Sequence, residues 1–246
     1  MRGTIYCYYD KTLVTNCRLR VLEPFIGTVA RDSVIQMLVY PLGTENAPLS
    51  APAGISADGD FYLVANTKDV IYQIHRSGRL IRVYTSGVSL VEETILVEPM
   101  SALAVLQGRI LLHGTILTSQ GNSVIVVGEA AAWKRHGMAG RDMILVSEGT
   151  EGYGAIMYSN GGWKEGRAAE CVTFPKVEGI LVLGHGGADL GTEPIESVEA
   201  KKALLGKHVV GMGELPQILR EQLTESGVLE RICEGLPMNV WVPGNT

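Results

Sequence analysis

The sequence has no apolar run long enough to cross a bilayer: stretches such as Ile144–Val146 and Val124–Val127 fall far short of the roughly 20 residues a spanning helix needs. Its first residues, Met-Arg-Gly-Thr-Ile-Tyr, lack the apolar core of a secretory signal. Cysteine is scarce. The four present, Cys7, Cys17, Cys171 and Cys233, are widely spaced and form no C-x-x-C pair, which removes zinc ribbons and dithiol redox motifs. The five histidines, His75, His113, His136, His185 and His208, show neither H-x-x-x-H nor H-E-x-x-H spacing, so a metal site is not expected. Basic residues are outnumbered, 21 against 26 acidic ones for a net charge of −5, and they are scattered. No stripe offers itself to a phosphate backbone. These absences predict a cytoplasmic protein with reduced thiols, bound neither to nucleic acid nor to membrane.

The 246 residues suffice for one large or two small domains, and 46% apolar against 19% charged residues is a globular composition. Residues 1–96 read as a β-rich lobe. Thr4–Tyr9, Val34–Tyr40, Phe61–Val64, Val70–His75 and Leu80–Tyr84 are strand-like, Ser77-Gly78 is a hairpin turn, and Gly43–Gly59 is a loop. After Pro99 the texture changes, so residues 97–246 are assigned to a separate α/β core. Met100–Leu106 has helical spacing, and Ile110–Leu117 and Val124–Val127 are strands joined by Ser-Gln-Gly-Asn. Glu129–His136 is helix-prone, and Met143–Val146, Ala155–Tyr158 and Gly179–Leu183 are strands. Ile195–Leu205 is an amphipathic helix, His208–Val210 a short strand, Pro216–Glu234 one or two helices, and Asn239–Val242 a last strand.

The richest segment runs from Leu111-Leu112-His113-Gly114-Thr115 through a turn to Ser123-Val124-Ile125-Val126-Val127-Gly128-Glu129-Ala130-Ala131-Ala132-Trp133-Lys134-Arg135-His136. It resembles the HPr kinase/phosphorylase group of phosphotransferases, whose P-loop core is shared with phosphoenolpyruvate carboxykinase. The shorter HPr-kinase-like proteins found with peptide-modification genes are the nearest in kind. The resemblance spans about residues 95–245 and rests on element order as much as on letters. It implies a mixed sheet with flanking helices. Within it His113-Gly114 matches the family's His-Gly pair, Gly128 the first glycine of the phosphate loop, Lys134 the loop lysine, and Glu148 the place of the catalytic aspartate pair. Active members of the group also bind ATP with magnesium, and homo-oligomers are common among them.

The departures fall where the chemistry is. A phosphate loop wraps an anion in successive backbone N–H groups, which glycine permits, with a Ser or Thr hydroxyl holding magnesium. Here Trp133 stands at the second glycine and Arg135 at the hydroxyl position, while Glu129-Ala130-Ala131-Ala132-Trp133-Lys134 favours a helix starting directly after Gly128. Trp133 is expected to pack into the nucleotide's space. Glu129 sets a carboxylate in the first turn, where a phosphate would sit. Of the acidic pair only Glu148 remains, followed by Gly149, with Glu151 or Asp142 as partial substitutes.

Three functions of different class follow. The first expected function is a pseudokinase-like binding or regulatory protein that recognises a peptide or protein without cofactor. The second is an ATP- and magnesium-dependent kinase acting on a Ser or Thr hydroxyl of a peptide, protein or small molecule, with Gly128 and Lys134 on the nucleotide, Glu148 as base and His113 nearby. The third is unrelated chemistry in the same cleft. Read without the resemblance, His113 is a core histidine tied to backbone, Lys134 a solvated charge, and the glycine-rich stretches Gly161–Gly166 and His185–Gly191 flexible connections.

Overall fold

The computed structural model describes residues 3–27, 34–44, 54–55, 59–67, 69–119, 122–129, 132–133, 142–149, 152–158, 176–183, 190–210 and 215–243. The chain is mixed α/β, with two mixed sheets and few helices. The described α-helices are α1 (Val88–Thr94), α2 (Glu98–Leu106), α3 (Val198–Gly206), α4 (Gln217–Glu225) and α5 (Val228–Gly235). None is long and apolar enough to cross a membrane. Two compact units divide the chain: Met1–Gly108 with Trp163–Val172 and Gly211–Glu225, and Arg109–Gly162 with Thr173–Val210 and Ser226–Thr246.

The first unit carries β1 (Thr4–Tyr8), β2 (Lys11–Thr15), β3 (Val34–Pro41), β4 (Gly54–Ile55), β5 (Phe61–Thr67), β6 (Val70–His75) and β7 (Leu80–Thr85). They lie in the order β1-β2-β3-β7-β6-β5-β4, with β2, β3 and β7 parallel and the remaining pairs antiparallel. Strand alternation sends Ile35, Met37, Tyr72, Ile74, Ile81 and Val83 to one buried face. α1 and the segment after it lie on that face, because the tyrosines reach their polar groups. Tyr72 shares a 2.6 Å hydrogen bond with Thr94 Oγ1, Tyr8 donates to the Ile95 carbonyl, and Tyr9 donates to the Leu96 carbonyl at 2.9 Å. Tyr9 sits in the two-residue β1–β2 turn at φ 55°, a left-handed conformation unfavourable for an aromatic residue, and its bond to Leu96 holds it there. β2 and α1 have no counterpart in the sequence expectations; the Ser77-Gly78 turn does, with Gly78 at φ 65°.

The second unit carries β8 (Ile110–Ser119), β9 (Asn122–Gly128), β10 (Asp142–Gly149), β11 (Gly152–Tyr158), β12 (Lys176–Leu183), β13 (Leu190–Pro194) and β14 (Met238–Pro243). Their order is β11-β10-β8-β9-β12-β14-β13, with β9, β12 and β14 parallel. β11 also pairs with β12 at Tyr153–Val177 and Gly154–Lys176, so five strands close on themselves at one end. β12 then exchanges β11 for β14 along its length, pairing from Ile180 to Leu183 with Met238 to Trp241. Leu112, Ile125, Val127, Ile144 and Val146 form a fully buried face of this sheet. β13 begins at Leu190 and Gly191, the last two residues of what the sequence reads as a glycine-rich connection, and the one or two helices expected in Pro216–Glu234 are two, α4 and α5.

Helices α3 and α5 are joined by one buried lysine. Ser197 caps α3 by accepting the Ala200 N–H at 3.3 Å. From the first turns of α3, Lys201 Nζ reaches two carbonyls at the C-terminal end of α5, Cys233 at 2.9 Å and Leu236 at 3.3 Å. Those carbonyls have no helical partner, and a cation there also meets the negative end of the helix dipole. Replacing Lys201 by Met should therefore cost about 3 kcal/mol in urea unfolding, because two acceptors lose their donor. Beside it, burial pushes the Cys233 thiol up to about 11, outweighing the opposing pull of Lys201 and Lys202. An unfolded chain loses that proton first, from about pH 8.5. Stability should fall as pH rises from there to about 11, and Cys233→Ala should flatten the fall in denaturation curves taken across that range.

Candidate functional site

β9 delivers Gly128 to the C-terminal end of the parallel strands, the end at which open α/β sheets bind ligands. Its last row pairs Gly128 with Leu183 of β12, and a Cβ on Gly128 would stand 2.7 Å from the Leu183 Cβ. The glycine is thus required by strand packing, whatever binds beyond it. Immediately after it the chain coils. The Glu129 carbonyl accepts the Ala132 N–H at 2.9 Å and the Trp133 N–H at 3.1 Å, the second a helical i to i+4 bond.

That turn brings Trp133 back over the strand ends. Its ring is 4% exposed and packs on Val126, Ala132 and Leu183, with Leu181 and Trp241 at the margin. The indole N–H donates to the Gly128 carbonyl at 2.8 Å, which satisfies both a buried donor and a strand-end acceptor. An apolar cluster therefore occupies the site end of β9, β12 and β14. Lys134 and the remainder of the expected helix lie outside the described residues, as do the glycine-rich stretches Gly161–Gly166 and 185–189.

A second segment closes the crevice between β8 and β9. β9 pairs with β8 only as far as Val126 opposite Thr115, while it stays with β12 to Gly128. The vacated side of β8 is taken by residues 208–210: His113 N–H donates to the His208 carbonyl and Val210 N–H to the Leu111 carbonyl, both at 2.8 Å, with Leu112 paired to Val209. The short strand expected there thus exists as an isolated bridge. Gly114 marks the fork, since a Cβ there would collide with the Val126 carbonyl oxygen.

His113 and Glu148 are not brought together. His113 pairs with Met143 of β10, so it shares a face with the odd-numbered β10 residues, whereas Glu148 projects from the opposite face. Relative to the Ile110–Val146 pair, His113 lies three rows to one side and Glu148 two rows to the other. Five rows at about 3.3 Å each separate them by about 17 Å along the strands. Glu148 is instead engaged at the surface, where its Oε2 accepts Arg231 Nε at 3.1 Å with both side chains about half exposed. The same α5 arginine offers its backbone carbonyl to the Tyr153 hydroxyl at 2.7 Å. Burial, then the Glu148 carboxylate, raises the Tyr153 phenol above its ordinary value. Arg231 is invisible as a partner in the sequence, being 83 residues from Glu148.

Among the described residues no group of three or more His, Cys, Asp or Glu side chains is placed to hold a metal ion. At the strand ends, among the described residues, an indole covers β9 and β12, and the last carbonyl of β9, that of Gly128, accepts its N–H. No protein-family model matches the chain, and no curated protein matches it. Function is therefore read from the site itself.

The Trp133 cluster can be tested by unfolding. Trp133→Ala should cost about 3–5 kcal/mol as a large buried ring is removed, whereas Trp133→Phe, which keeps the plug and loses only the indole bond, should cost about 1–2 kcal/mol. Gly128→Ala should cost about 2 kcal/mol through the clash with Leu183. Equal stability of all three with the parent chain in urea titration would refute the packing role.

Proposed function

We propose that the chain is an HPr-kinase-like protein with an eroded nucleotide site, acting as a pseudokinase-type binding or regulatory protein toward a peptide or protein partner. The observation that carries this reading is the buried Trp133, bonded to the Gly128 carbonyl and packed on Leu183, at the position where the family's loop would expose amides to phosphate. Three features add support. Residues 208–210 fill the crevice beside His113. Glu148 is paired with Arg231, and it stands on the face opposite His113. His113 and Glu148, about 17 Å apart along the strands, could not both reach one substrate hydroxyl, since proton transfer works over roughly 3 Å.

Thermal denaturation with ATP and magnesium tests the reading. A nucleotide at about 100 times its Kd stabilises a protein by about 2.7 kcal/mol, a shift of several degrees in a chain of this size. We expect millimolar ATP with magnesium to move Tm by less than about 1 °C. A saturable upward shift that disappears in Lys134→Ala would restore the kinase reading.

A further inference from the structure

We draw no further inference here: the strongest candidate, the face of the first sheet opposite α1, where Tyr40 stacks on Tyr84 at 5.6 Å and Arg82 lies 4.4 Å from the Phe61 centroid, is largely buried, and nothing among the described residues shows what covers it.

Discussion

The approach of β9 to β12 at Gly128 governs everything around it. The two backbones run too close there for a side chain on β9, so Leu183 occupies the space a Cβ would need. With the last row of the parallel pair fixed, the chain must leave the sheet at Glu129, and the helical turn that follows sets Trp133 four residues on. The wall it meets is apolar: Val126 and Leu183, with Leu181 and Trp241 beside them. Covering about 200 Å² of indole against that wall is worth about 5 kcal/mol, and the single polar atom of the ring finds the Gly128 carbonyl. A ligand at this end of the sheet would have to displace the ring or bind over it.

The same constraint explains why strands of the second unit change partners. β9 cannot follow β12 to Gly128 and also remain beside β8, so it parts from β8 after Val126. Leu111 and His113 would then present unpaired backbone groups inside the sheet, which buried structure does not tolerate. Residues 208–210 supply the missing donors and acceptors. His113 thus reads first as a strand residue whose N–H closes a ladder. β12 makes a comparable exchange at Gly179, where a Cβ would stand 3.1 Å from the Pro237 carbonyl oxygen as β14 replaces β11 at its side.

Most of the strands were legible in the sequence because alternation and β-branched runs report burial directly; β3, β6, β7, β8 and β9 follow the expected segments closely. β2 was not, since Lys11-Thr12-Leu13-Val14-Thr15 is short and follows a turn closed by Tyr9 in a conformation normally left to glycine or asparagine. α1 was hidden by β-branched residues, with Thr94 stabilised from a distance by Tyr72. At the candidate site, the bulky Trp133 and the helix-forming run after Gly128 were readable locally. The separation of His113 from Glu148 was not, because a face and a register belong to strand pairs. Nor was the Arg231–Glu148 pair, which depends on where α5 sits within its unit.

Ion pairs join several exposed charges of the second unit. In the second unit Arg231 meets Glu148, Lys202 meets Glu230 at 3.3 Å, and Lys201 serves the end of α5. Exposed ion pairs of this kind contribute at most about 1 kcal/mol each, so placing a carboxylate beside an arginine is neither costly nor strongly rewarded. In the first unit Arg76, Arg79 and Arg82 of the β6–β7 hairpin are in no ion pair among the described residues. Stability is indifferent to that choice within about 1 kcal/mol per site.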